Sequence, residues 1–410
     1  MKIKLKTLFL ILVLIAIIGA IYELEQSKVK PQRLSVVHNL INDLTNNPAN
    51  KSNITDKPER TSLKNGIYPQ AQELTGISGY LNLGKDEREI KIADFRGKVV
   101  LIDFWTYTCI NCIRTLPHLV EWDQKYRDKG LVIIGVHTPE FEFEKKQENV
   151  KAAMEKYGIT YRVVQDNEYA TWQAFGNRYW PHKYLIDTEG YIRYDHIGEG
   201  GYVETEQRIQ ELLAQIPPEG IKKVEEHQEV KIINGLNIST LEDETPQHKT
   251  TPELYAGYVF ALPRGQNLGN TEGLQPGKMI TYVPVLNQRF LPNIIYLQGS
   301  WQSNEDNLEA KVSNTSNTSN TSNTSLYLDF TAAAVHMVAA SSLPVEVEVM
   351  LNGHFISRES AGADVQFVGD RAFVRVQEPR LYTIVQGSYH RNVLQLITPA
   401  GLEVNSFTFG

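Results

Sequence analysis

Two cysteines occur in the 410 residues, Cys109 and Cys112, with Ile110 and Asn111 between them. Two thiols at this spacing can close a disulfide and carry two electrons without any added cofactor. Val99 to Phe104 is an apolar run that reads as a strand buried on both faces. From Cys109 onward Ile110, Ile113, Leu116, Leu119 and Val120 take helical spacing. Cys109 therefore sits at a helix N-terminus, where unpaired amides and the helix dipole favour a thiolate. Cys112 lies one turn in, shielded but close enough to pair. Asp103 lies on the buried strand, where a carboxylate is costly unless it has a partner or a task. One task is to take the proton from Cys112 as that thiol attacks a mixed disulfide; the alternative is a strand-end carboxylate facing solvent. Pro117, inside the helix, is expected to kink it.

These residues need a strand and a helix to position them, and the surrounding pattern supplies more of both. Residues 66–217 read as one α/β domain. Ile90–Phe95 is expected as a short strand, Leu131–Val136 as a buried strand, Phe143–Tyr157 as a helix and Tyr161–Val164 as a strand. Tyr184–Asp187 and Tyr191–Tyr194 form a final hairpin before a helix over Glu204–Ile216. The X-Pro bond Trp180-Pro181 stands just before the hairpin, where a cis peptide is possible. A strand, a Cys-x-x-Cys and a helix in succession, with Asp103-Phe104-Trp105 before them and Pro117 after, resemble the thioredoxins. The resemblance implies a thioredoxin-like fold with a central insertion of one helix and one strand. It also implies a cis Pro181 facing the dithiol and a substrate groove formed by Trp105, Trp180 and Pro181.

Three segments narrow the likeness: GKVVLIDFWTYTCINCIRTLPHL, GLVIIGVHTPEFEFEKKQENV and DNEYATWQAFGNRYWPHKYLIDTEGYIRYDHIGEGGYVETE. They resemble the extracytoplasmic part of DipZ proteins and, more distantly, the membrane-anchored TlpA/ResA thiol-disulfide oxidoreductases. The likeness runs from about Pro69 to the terminal Phe407-Thr-Phe-Gly410. It implies disulfide chemistry at Cys109 and Cys112 on exported proteins, with cytochrome c maturation or repair of oxidised proteins as the context. In DipZ an electron-conducting membrane domain precedes this region. Here one hydrophobic segment does, so a separate membrane electron donor of the CcdA/DipZ kind is expected.

That segment is Leu8–Tyr22, preceded by lysines. Residues 1–24 read as a membrane anchor or a signal segment, cytoplasmic on the lysine side, leaving the bulk of the chain outside the cell membrane, or secreted if the segment is cleaved. Residues 25–65 are a polar linker. Past Pro217 the texture changes: 218–250 reads as a second linker and 251–410 as an all-β sandwich, resembling the carbohydrate-binding-module-like end of DipZ. Its alternating segments include Leu326–Phe330, Val335–Ala339, Tyr382–Val385 and Asn392–Ile397, and Asn352-Gly353 is a hairpin turn. The Ser-Asn-Thr repeat over 313–325 is expected as a disordered loop. Aromatics such as Tyr255, Tyr258, Trp301 and Tyr389 could stack on sugar rings or simply pack.

A net charge of -7 gives no basic field for nucleic acid. A metal held by the cysteines with His137, His182 or His196 is disfavoured, because one Cys-x-x-Cys supplies two of the four ligands a structural zinc needs. The sequence therefore points to a membrane-tethered, outward-facing oxidoreductase of protein disulfides. Cys109 attacks, Cys112 resolves and Asp103 assists proton transfer. The rival reading is a glycan- or protein-binding protein whose thioredoxin-like part is a redox-silent platform.

Overall fold

The computed structural model describes residues 67–217, 249–283, 290–312 and 324–410. The expected anchor and first linker lie outside these residues, as do nearly all of the second linker and of the repeat. Among the described residues no helix is long and apolar enough to cross a membrane. The last two residues of the repeat, Thr324 and Ser325, begin a strand.

The first region contains β1 (Gly79–Leu81), β2 (Val99–Trp105), α1 (Ile110–Tyr126), β3 (Leu131–His137), α2 (Gln147–Tyr157) and β4 (Arg162–Gln165), followed by α3 (Ala170–Ala174), β5 (His182–Ile186), β6 (Ile192–Ile197) and α4 (Tyr202–Leu213). Its six strands are ordered β1-β4-β3-β2-β5-β6. β2, β3 and β4 run parallel, while β5 and β6 return antiparallel to β2 and to each other. This is a thioredoxin-like sheet, with α2 and β4 as the extra helix and strand. Ile92–Phe95 is a single 3-10 turn rather than the expected strand; Asp94 accepts the Lys91 amide at 2.9 Å and closes the turn. The helix expected from Phe143 is broken at Lys146, whose ψ of 121° is extended, so a 3-10 turn over Glu142–Lys145 precedes α2.

Alternation along β2 decides what lies beneath the cysteines. Val99, Leu101 and Trp105 pack in one apolar cluster with Cys112, Leu116 and Leu119 of α1. Val100, Ile102 and Phe104 pack in the cluster on the opposite face. Asp103, at an odd position, therefore points to the α1 side.

The second region is all-β: β7 (Leu254–Tyr255), α5 (Tyr258–Ala261), β8 (Met279–Tyr282), β9 (Ile295–Ser303), β10 (Leu308–Ala310), β11 (Thr324–Ala340), β12 (Val345–Leu351), β13 (His354–Phe355), β14 (Val365–Val368), β15 (Arg371–Val376), β16 (Arg380–Thr398) and β17 (Glu403–Phe409). Eleven strands share one hydrogen-bonded network. The reason is that two pairs of expected short strands are each one long strand: β11 spans 17 residues and β16 spans 19. β11 pairs with β9 at its start and β17 at its end, and register shifts near Ala332–His336 let it bend between them. Asn352 and Gly353, with φ of 54° and 84°, make the tight turn between β12 and β13.

Apolar contacts join the two regions. Phe141, from the loop after β3, is 1% exposed and belongs to the buried cluster of the β region. Its ring meets Phe260 edge-on at 5.7 Å. Ile110 and Ile113, flanking the cysteines, pack against the same cluster. Phe141→Ala is expected to destabilise the chain by about 3–5 kcal/mol. Urea unfolding checks this; an unchanged midpoint would show that the cross-region packing contributes nothing.

Candidate active site

Cys109 is the N-cap of α1, with extended φ and ψ of -77° and 117°. Its amide donates to Thr106 O at 3.4 Å and its carbonyl accepts from Ile113 at 3.0 Å. It is partly exposed, whereas Cys112 is 1% exposed, and both are free thiols. Burial pushes the Cys112 thiol well up, and the adjacent Cys109 sulfur and the charge of Asp103 add to the effect. Cys112 thus keeps its proton until something nearby accepts it.

The carboxyl whose charge reaches Cys112 is that of Asp103. It is fully buried, and among the described residues neither carboxyl oxygen has a hydrogen-bond partner. Burial raises its pKa to about 7, with Lys183 opposing. A group titrating near neutrality can take a proton and return it. Lys183 lies directly across from Asp103 in the β2–β5 pairing and is itself 0% exposed. Burial lowers its pKa, resisted by the charges of Asp103, Cys112 and Glu199, while its Nζ donates to Gly198 O at 3.1 Å. Lys183 escaped the sequence reading. Its only signal is a charge two residues after Pro181 in a run that is otherwise strand-like.

The Trp180-Pro181 peptide is cis. Trp180 O stands 4.0 Å from Cys109 Sγ, which places this backbone edge beside the exposed sulfur. The Trp180 indole packs on Trp172 with centroids 4.3 Å apart, and Tyr179 is half exposed next to it. Trp105 differs from its expected place in the groove. It is 0% exposed, edge-on to His137 at 5.1 Å, and offers no surface to a substrate. The inward alternation that points Asp103 under α1 also buries Trp105. The wall beside Cys109 is therefore Trp180 and Pro181.

His137 is buried and pushed down to about 3, so it is neutral, stacked on Tyr107 at 5.7 Å. His182 is bound by Asn177 at 2.6 Å and Asp195 at 3.0 Å, and His196 Nε2 lies 3.3 Å from Glu199 O. Among the described residues no group of three or more His, Cys, Asp or Glu side chains is arranged to hold a metal ion.

The site yields a pH dependence with a definite sign. Proton removal from Cys112 requires ionised Asp103, so release of a mixed disulfide at Cys109 should accelerate as pH rises through about 7. Asp103→Asn should slow that release by about 100-fold and flatten the profile. Lys183→Met removes a positive charge that lowers the Asp103 pKa, so the rise should move to higher pH. Stopped-flow release of a thiol chromophore from preformed mixed disulfide measures both; superimposable profiles for all three proteins would contradict the arrangement.

Two family models and several known proteins match the chain. Residues 73–195 match the AhpC/TSA family, and residues 251–410 match the thioredoxin-like C-terminal domain family. Protein DipZ of Mycobacterium bovis is 34% identical over 341 residues, covering 83% of this chain and 43% of the relative. The chain thus spans less than half the length of that relative. The thiol-disulfide oxidoreductase YkuV of Bacillus subtilis is 33% identical over 143 residues, 35% of this chain and 93% of its own length. The thiol-disulfide oxidoreductase ResA of Halalkalibacterium halodurans is 31% identical over 130 residues, 32% of this chain and 69% of its own length. A solved thioredoxin-like superfamily protein is 26% identical, with a TM-score of 0.34, over 36% of this chain and 99% of its own. With a dithiol at the start of α1, and with YkuV and ResA matched over most of their lengths, the chain belongs to the thioredoxin-like thiol-disulfide oxidoreductases.

Proposed function

We propose that the protein is a membrane-tethered, extracytoplasmic reductase of protein disulfides. The carrying observation is the combination of a partly exposed Cys109, a buried, proton-holding Cys112 and a buried Asp103 carboxyl with no hydrogen-bond partner among the described residues. Cys109 thiolate attacks one sulfur of a substrate disulfide, expelling the other as a thiolate and forming a mixed disulfide. Asp103 takes the Cys112 proton, and the Cys112 sulfur attacks Cys109 Sγ. The second substrate sulfur leaves and is protonated. Two electrons have passed to the substrate, and the enzyme holds a Cys109–Cys112 disulfide.

Restoring the dithiol takes two electrons and two protons. Outside the cell membrane, in an oxidising setting, a membrane electron donor of the CcdA/DipZ kind supplies them in this reading. The likeness to DipZ over 83% of the chain supports that setting, with the Leu8–Tyr22 segment as the tether. Exported proteins with unwanted disulfides, cytochrome c precursors among them, are the substrate class.

The dipeptide Ile110-Asn111 places no cation or histidine between the cysteines. Such a neighbour would stabilise the thiolate and make the pair oxidising. Its absence supports the reducing direction. The β region contributes contacts rather than a reactive group. Tyr255 and Trp301 are buried, so a carbohydrate ligand would have to use other surface.

Equilibration with glutathione or dithiothreitol tests the direction. A reduction potential below about -220 mV supports a reductase, and one near about -120 mV would make the protein an oxidant. Loss of insulin reduction in Cys109→Ser is the accompanying control, and retention would refute the assignment of the attacking thiol.

A further inference from the structure

The loop that presents Cys109 is held from a side that the dithiol chemistry does not use. Thr108 Oγ1 donates to Glu144 Oε1 at 2.5 Å. The other carboxyl oxygen of Glu144 accepts the backbone amides of Glu140 at 2.5 Å and Phe141 at 3.0 Å. Glu144 is 0% exposed, and the Thr106 side chain joins these three donors in favouring its carboxylate. Burial raises its pKa, and these donors work against that by favouring the carboxylate. One donor comes from the residue immediately before Cys109; the other two come from the segment that enters the β region.

That segment is itself pinned. Tyr255 of β7 has its hydroxyl 2.6 Å from Glu140 Oε1 and 2.9 Å from Glu253 Oε2. One hydroxyl carries a single hydrogen. That hydroxyl lies within reach of both carboxyls, and burial pushes both glutamates up. The Arg264 guanidinium lies 4.4 Å over the Tyr255 ring, and that ring stacks on Phe260 at 5.5 Å. The Glu142 amide donates to Asp306 Oδ2 at 3.2 Å, a second polar tie to the β region.

We propose that Glu144 is a positioning residue for Cys109, holding its loop through Thr108, and that Tyr255 fixes the Glu144 segment through Glu140. The C-terminal region thereby sets the reactivity of a dithiol to which it contributes no sulfur. Thr108 to Glu144, the Glu140 amide, the Glu140 carboxyl and Tyr255 form one continuous chain of contacts. Breaking either end should therefore loosen the same loop. The inference rests on Cys109 being the attacking thiol.

Thr108→Val and Tyr255→Phe each remove one hydroxyl and keep the side-chain shape, so both should fold where Glu144→Ala would strip every donor around it of its acceptor. In the full-length chain, iodoacetamide alkylation of Cys109 across pH and the reduction potential are the readouts. Each variant should slow alkylation by about 3- to 10-fold, the worth of one hydrogen bond. The double variant should be no slower than the slower single one, because both act through one chain. Thr108→Ser should restore the wild-type profile. A wild-type profile and potential in Thr108→Val, or a Thr108→Ser variant as slow as Thr108→Val, would overturn the role of Glu144. A wild-type profile in Tyr255→Phe would overturn the coupling to the β region. Failure of the unsubstituted chain to react at Cys109 would overturn the assignment of the attacking thiol, and this inference with it.

Discussion

The site depends on one costly placement: the Asp103 carboxyl, buried on the α1 side of β2 with no hydrogen-bond partner among the described residues. An ionised carboxylate in that setting is penalised by several kcal/mol, so the group holds its proton to higher pH instead. Lys183 keeps the shift in bounds; without that buried ammonium opposite, Asp103 would stay protonated further into the alkaline range. The two buried charges therefore tune each other, and the outcome lies near neutral pH, where a proton acceptor for Cys112 is useful.

The burial follows from the sheet. β2 is central, covered on both faces, and its alternation assigns Leu101 and Trp105 to the α1 side along with Asp103. Changing the register by one residue would turn Asp103 toward the Phe104 cluster and away from Cys112. The apolar residues around it thus perform two tasks, closing the core and withholding water from the acid. At the N-terminal end of α1 the Cys109 sulfur is left partly open. There the wall is a peptide edge and an indole, Pro181 and Trp180, rather than a charged group.

Much of this was legible in the sequence because short-range patterns carry it. The strand-to-helix switch around Cys109, the order of strands and the Asn352-Gly353 turn all rest on residues close in the chain. Long-range packing carried no such signal. Ile92–Phe95 has strand-like composition, yet Asp94 captures the Lys91 amide and closes a turn. Trp105 looked available beside the cysteines, but only the sheet's depth shows that it is enclosed. Lys183 gains its meaning from a partner 80 positions away, and Glu144 from Thr108, 36 positions away. The length of β11 and β16 was hidden because bulges and polar residues interrupt their alternation.

The proton affinity of Asp103 in the dithiol state decides whether that carboxyl can serve Cys112. Carbon-13 NMR of the aspartate carboxyls, with Asp103→Asn used to assign the signal, measures it directly. The predicted midpoint is about 7. A midpoint near the ordinary aspartate value of about 3.9 would mean that the carboxyl is solvated or paired, and would contradict the role assigned to it.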